Sequence, residues 1–245
     1  MPWQKAVWRM KKTIAFLCVL LVPLFITGQD NDPPSHNSKI SPELEAVLSQ
    51  MDKGAANFKS AHAQFEWDNY QKVVEETEHQ KGQVYFQRNG KDVEVMFDIT
   101  NPYAKQVLFK DGKLILYDKK IDQITEHTAG KKRADVESFL SLGFGARGHD
   151  LLKNYQVSLA GWETVDGIKT AKLELIPKEV KVRNMFSQFI LWLDLQRDVP
   201  IQQKVLEPAG DYWFSHYTDI KMNSRISEDV FRIKTTPHTR VVTTQ

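Results

Sequence analysis

Residues 82–98 read GQVYFQRNGKDVEVMFD, and the architecture follows from where the turn inside them is placed. Asn89-Gly90 is a strong hairpin signal, because a two-residue turn needs positive φ at its central positions and these residues tolerate it. A turn there sets Phe86 opposite Val93 and Val84 opposite Val95. Side chains alternate along a strand, so one face of the ribbon carries Val84, Phe86, Val93, Val95 and Phe97. The other carries Gln83, Tyr85, Gln87, Asp92, Glu94 and Asp98, with Met96 the exception. Arg88 falls on the apolar face. A guanidinium keeps its proton, so on such a face it must find acceptors or water. Next to the turn, with Lys91 opposite, it points to the rim of an apolar concavity that opens.

The same signal recurs outward along the chain. Asp111-Gly112 lies inside KQVLFKDGKLILYD, and Asp166-Gly167 inside LAGWETVDGIKTAKLEL. Three such dipeptides between alternating runs predict an antiparallel meander. Before it, Ala63, Phe65 and Trp67 alternate with Gln64, Glu66 and Asp68 as a strand. After it come FSQFILWLDL, PIQQKVLE, DYWFSHYTDIKM and a closing VFRIKT. Ser41-Pro42 opens an amphipathic helix with Leu44, Val47, Leu48, Met51 and Phe58 on one face, and two short helices are expected around 134–142 and 150–155. The class is α+β: a curved sheet of about ten to eleven antiparallel strands, with helices laid as a lid over its apolar, concave face. That face collects Phe65, Trp67, Val84, Phe86, Val93, Val95, Phe97, Val107, Phe109, Leu114, Leu116 and Trp162 as candidate cavity residues. The alternation also leaves Leu108, Ile115 and Tyr117 facing outward.

Residues 1–28 stand apart from this pattern. Lys5, Arg9, Lys11 and Lys12 precede an apolar run, Thr13–Ile26, and Thr27-Gly28 leads into the polar QDNDPPSHNS. That is the layout of a cleaved signal peptide, and the apolar run is short of the roughly 20 residues a membrane span needs. Residues 29–40, with Pro33-Pro34, read as a flexible tether, and 41–245 as one domain. The single cysteine, Cys18, lies within the signal, so the exported chain has no disulfide and no thiol chemistry. Removing the four basic residues of the signal from 33 leaves 29 against 31 acidic ones, without the basic excess of a nucleic-acid binder.

Catalytic and metal signatures are weak. GFGARG, residues 143–148, satisfies G-x-G-x-x-G but follows a helical stretch and has no parallel βαβ unit around it, so it reads as a helix–helix connection. The seven histidines show no i, i+4 pair, and the cluster Glu75, Glu76, Glu78, His79 reads as a solvated connection between strands. There is no G-x-S-x-G elbow. The expectation is a binding protein rather than an enzyme, with no cofactor and no metal.

These segments together resemble the LolA-like family, periplasmic carriers that sort lipoproteins to the bacterial outer membrane. The resemblance rests on the order of AHAQFEW, GQVYFQR, VEVMFD, VLFKDGKLILYD and IDQIT, then DLLKNYQVSL, LELIPK and the closing SEDVFRIKTTP. The family has arginine-proline where this chain has Arg88-Asn89, and an aromatic residue where Val93 or Val95 stands. The resemblance implies an incomplete antiparallel barrel enclosing a cavity for acyl chains. It implies a role for Arg88 as a latch, hydrogen-bonded to backbone carbonyls of the lid in the empty state. It also implies a monomer in the periplasm, served by an inner-membrane lipoprotein-releasing ABC transporter and an outer-membrane acceptor. Relatives on this fold carry other lipids or sense envelope stress, which stays open as the alternative.

Overall fold

The computed structural model describes residues 40–90, 92–130 and 133–244; the expected signal peptide, the tether up to residue 39 and Lys91 lie outside them. Six strands meander in sequence: β1 (Ser60–Gln71), β2 (Glu76–Asn89), β3 (Asp92–Asn101), β4 (Lys105–Lys110), β5 (Lys113–Asp118) and β6 (Gln123–Thr128). Helices α1 (Pro42–Asn57), ahead of β1, and α2 (Arg133–Leu140) and α3 (Gly148–Asn154), after β6, cover the concave face. The chain then returns as β7 (Tyr155–Val165), β8 (Ile168–Pro177), α4 (Val180–Met185), β9 (Gln188–Asp194), β10 (Val199–Leu206) and β11 (Tyr212–Met222). Strand β11 pairs with β1, giving one sheet in the order β12-β6-β5-β4-β3-β2-β1-β11-β10-β9-β8-β7, where β12 is Arg240–Thr244. The outermost strands, β12 and β7, do not pair with one another, so the barrel is incomplete. Among the described residues there are twelve strands rather than ten to eleven, and β12 lies parallel to β6, Arg240 beside Gln123, so the sheet is not wholly antiparallel.

Two of the three hairpin signals hold to the residue. Lys110 pairs with Lys113 and Val165 with Ile168, and both Asp-Gly turns have positive φ at each central residue. The first hairpin is shifted. Asn89 pairs with Asp92, so Arg88 faces Val93 rather than Lys91, Phe86 faces Val95, and Val84 faces Phe97. The Arg88 backbone N–H donates to the Lys59 carbonyl at 2.8 Å, which keeps β2 in the ladder one residue further than the dipeptide alone suggests. The pairing moves by two residues, an even number, so every side chain keeps its expected face.

The apolar outward residues are accounted for by the C-terminal segment. VFRIKT is not a strand: Glu228–Phe231 forms a short 3₁₀ turn capped by Ser227, whose side chain accepts from the Asp229 N–H. Phe231 is buried with Met96 and Leu108, and Tyr85, Ile115, Ile226, Val230 and Ile233 pack around them. Burial against the outer face uses these side chains on several sides at once, which a place in the sheet would not. Tyr117 is buried as well, and its hydroxyl donates to Asp122.

Helix α1 begins where proline in the first turn and the Ser41 cap place it, Ser41 Oγ accepting from the Leu44 N–H at 3.1 Å. Its buried Leu44, Val47, Leu48 and Met51 share a core with Tyr155 of β7, Ala171 and Leu173 of β8 and Leu191 of β9. Helix α4 has no clear periodicity in the sequence and is not anticipated by it. The glycine-rich link between α2 and α3 serves close packing. Gly145 has φ +69°, and a side-chain carbon there would collide with the Phe58 ring. At Gly148 it would collide with the Leu48 carbonyl oxygen.

Candidate functional site

The register sorts the strand ends into two rims. One rim holds the turns after β1, β3, β5 and β10, together with α4. The other holds the turns after β2, β4, β7 and β9, and Arg88. The interior differs sharply between them.

Toward the first rim lies a cavity of about 140 Å³. Trp67, Phe97, Val107 and Leu116 line it from the first half of the sheet. Phe189, Leu191, Val205 and Trp213 line it from the second half, and Phe139, Leu140 and Leu142 from the lid. None of these seven was expected from sequence. The alternation in FILWL and in YWFSHY marks one face of each strand, but which face is concave depends on the order of strands in the sheet. Lys105 and Asp118, neighbours across β4 and β5, join Gln80 and Lys204 among the polar residues of the lining. Within the wall, the Tyr217 hydroxyl donates to Gln203 Oε1 at 2.8 Å, and Gln203 Nε2 donates to the Leu142 carbonyl, tying sheet to lid. Burial pushes the Tyr217 phenol far up, so it stays a neutral donor.

Toward the Arg88 rim the concave face is filled. Phe65, Val84, Phe86, Val95, Phe109 and Leu114 are buried in a closed core, with Val93 partly buried against it. None of them borders the cavity. The filling comes from the lid: Phe144 stacks on Phe86, with ring centroids 4.2 Å apart, and meets Tyr217 edge-on. Phe58, just past α1, belongs to the same cluster. Trp162 is a correction of a different kind. It sits on edge strand β7, 47% exposed, beside Ala46, Val47 and Gln50 of α1 and Leu195, outside the cavity. Alternation put it on the inward face, but an edge strand has no neighbour beyond it to complete a wall.

Arg88 joins both parts of the lid to the sheet. Its Nη1 donates to the Ala55 carbonyl at 2.7 Å, with a longer contact to Phe58 O, and its Nη2 donates to the Gly145 carbonyl at 2.8 Å. Ala55 lies in the last turn of α1, where carbonyls lack intrahelical partners and carry the negative end of the helix dipole. The guanidinium carbon also lies 5.4 Å from the centre of the Phe58 ring. These contacts sit at the filled rim, not at the mouth of an opening, which corrects the expectation drawn from Arg88 and Lys91.

The lid is tied to itself by His149. Its Nδ1 is 2.6 Å from Asp52 and its Nε2 3.1 Å from Glu45, both on α1. The Asp52 hydrogen bond, outweighing burial, raises the imidazole pKa above its ordinary value. Burial pushes the Asp52 carboxyl up, but the hydrogen bonds from His149 outweigh it and hold the group below its usual range. Among the described residues no group of three or more His, Cys, Asp or Glu side chains is arranged to hold a metal ion.

A family model described as "Outer membrane lipoprotein carrier protein LolA" matches residues 56–234. Among solved structures the chain is similar to MucB, at 15% identity and a TM-score of 0.52 over 82% of this chain and 66% of that one. It is similar to an uncharacterized conserved protein from Thermus thermophilus, at 12% identity and a TM-score of 0.52 over 82% of this chain and 99% of that one. A complex of MucA and MucB from Pseudomonas aeruginosa aligns at 14% identity and a TM-score of 0.48 over 78% and 61% of the two chains. The chain thus spans less than two thirds of the length of the MucB chains it matches. No match to a curated protein was found by sequence. At these identities the likeness to solved structures is one of fold.

Proposed function

Since the chain belongs to the family of the outer membrane lipoprotein carrier protein LolA, we propose that it is an exported carrier that shields acyl chains of lipoproteins, or of other lipids, beneath its lid and ferries them from the inner to the outer membrane. It acts in the periplasm as a monomer after loss of residues 1–28. It receives cargo from an inner-membrane lipoprotein-releasing ABC transporter and surrenders it to an outer-membrane acceptor, with no chemical step of its own.

The observation that carries this reading is the apolar cavity at one rim, roofed by a lid fastened at the other rim by Arg88. A cavity of about 140 Å³ is of the size that admits a benzene molecule, so an acyl chain enters only if the lid moves. Each hydrogen bond from a charged donor contributes on the order of 1.5–3 kcal/mol, and each buried methylene about 0.8 kcal/mol. Roughly four to eight methylenes therefore offset the two short Arg88 bonds. A long acyl chain supplies more than that, and when it leaves, Arg88 closes the lid again. Loading and release are two sides of one equilibrium between open and closed lid.

Native mass spectrometry of the protein purified from its own cell envelope tests the reading. Bound lipid or acylated peptide is expected; a uniformly ligand-free protein counts against it. Delivery of that cargo to acceptor membranes marks a carrier. A stable complex with an inner-membrane regulator and no delivery marks a lipid sensor on the same fold.

A further inference from the structure

Among the described residues, exposed large apolar side chains stand in the turns of one rim and not in those of the other. At the Arg88 rim the turns are the one between Asn89 and Asp92, Asp111-Gly112, Asp166-Gly167 and Leu195–Asp198, none with an exposed large apolar side chain among the described residues. At the cavity rim the β1–β2 turn reads Lys72-Val73-Val74-Glu75, with Val73 86% exposed and Val74 also exposed. The β3–β4 turn exposes Tyr103, 53% accessible, the β5–β6 turn Ile121, and α4 Val180. Valine is a poor turn residue, and Val73, standing almost wholly in solvent, gains no burial to compensate. The sites lie along one rim, the Tyr103 and Ile121 turns joined by Lys120, whose ammonium lies over the Tyr103 ring. Strand order places the β5–β6, β3–β4 and β1–β2 turns side by side, the last next to the β10–β11 turn, where the Lys72 backbone N–H donates to the Asp211 carboxylate.

We propose that this rim docks on the surface of a lipid bilayer, with Val73, Val74, Tyr103, Ile121 and Val180 entering the interface. Apolar tips each flanked by charge suit the interface of a bilayer, where the tips enter the acyl boundary and the charges stay among the headgroups. The charges beside the tips agree. Lys72 neighbours Val73; Lys119 and Lys120 neighbour Ile121, with the Lys120 ammonium 4.3 Å from the centre of the Tyr103 ring; Lys181 neighbours Val180. Glu75, Glu76, Asp118, Asp122 and Glu179 balance them, so the rim presents both signs, as a zwitterionic headgroup layer does. Long lysine side chains reach phosphates while the apolar tips go deeper. The cavity lies toward this same rim, so cargo leaving it would meet hydrocarbon without crossing water. This deepens the carrier reading by naming the surface at which the cavity is loaded or emptied, while the docking itself does not depend on what the cavity holds.

The test is co-sedimentation of the purified protein with extruded vesicles, one set of phosphatidylethanolamine and phosphatidylglycerol and one of phosphatidylcholine alone. Both sets should bind the protein, with little loss on adding salt. The pair Val73→Asp and Val74→Asp, and separately Tyr103→Asp, should weaken binding about tenfold or more, because a charge replaces inserted apolar area. All these side chains are exposed, so the variants should fold. Their uptake of a fluorescent fatty acid, cis-parinaric acid, serves as the check on fold and cavity. Fatty-acid uptake with no vesicle binding by the wild-type protein, or equal vesicle binding by wild type and variants, overturns the docking while leaving the carrier reading standing. Vesicle binding abolished by moderate salt also overturns it, since apolar insertion is not screened. Vesicle binding without fatty-acid uptake supports the docking and removes the carrier reading.

Discussion

The two rims of this barrel are built from the same strands and do opposite things. At the Arg88 rim the lid descends: Phe58 and Phe144 fill the concave face, Gly145 permits the approach, and Arg88 bonds the carbonyls of both lid segments. At the other rim Phe139, Leu140 and Leu142 only roof an apolar space, and a chain of polar contacts, Tyr217 to Gln203 to Leu142, crosses from sheet to lid. The contrast teaches that an apolar face becomes a core or a binding site according to what is laid on it. The lid meets the sheet through packed rings and charged bonds at one rim, and through a single polar chain beside a cavity at the other.

If the rims differ as described, the largest effect should come from Phe144→Ala. Phe144 is fully buried and stacked on Phe86, so truncation should cost about 3–5 kcal/mol in urea unfolding. Leu116→Ala, beside existing free space, should cost less than about 2 kcal/mol. Equal costs would erase the distinction between filled and open rims.

Next in size is Arg88→Leu, which removes the donor from the Ala55 and Gly145 carbonyls. Carbonyls left unpaired there should lower stability by about 1–3 kcal/mol, and the lid, freed at its fastened end, should favour the open state. An acyl probe should then bind more tightly and leave more slowly, as read by stopped-flow fluorescence. Release at the wild-type rate would reduce Arg88 to a packing residue.

Smaller again is the effect on stability of filling the cavity. Val107→Trp should lower affinity for the same probe by about tenfold or more while shifting unfolding by only about 1–3 kcal/mol in either direction. Probe binding left intact would place the acyl site elsewhere.

The smallest effect is expected at His149, which is partly exposed and whose ion pairs are worth little in water. Its pKa is raised in the folded state, mainly by the Asp52 hydrogen bond, so the contact stabilises fully below the ordinary 6.5 and fades as pH rises through the raised value. The lowered pKa of Asp52 preserves the contact until pH falls through that value. His149→Gln should therefore lower the thermal midpoint slightly in mildly acidic buffer and not at high pH. A deficit that grows with pH would contradict the pairing.

Much of this was written in local chemistry. The Asp111-Gly112 and Asp166-Gly167 turns, the Ser41 cap and the alternation in β1 to β5 depend on neighbours close in the chain, and each appears where those neighbours put it. The membership of Val84, Phe86 and Phe97 in one inward face survived a two-residue slip of their hairpin, because period two is indifferent to even shifts. Arg88 was legible as a charge needing acceptors, since no guanidinium rests on an apolar face without them. What these residues surround was not legible. Whether Phe109 abuts a ring or a void depends on Phe58 and Phe144, which arrive from distant parts of the chain. Whether Trp162 completes a wall depends on β7 being the last strand of the sheet. That VFRIKT lies on the outer face instead of at an edge depends on Met96 and Leu108 needing cover. A side chain's direction is set by its own backbone and is recorded in the pattern of its neighbours; the volume in front of it is set by residues far away in sequence, and exists only once they have packed.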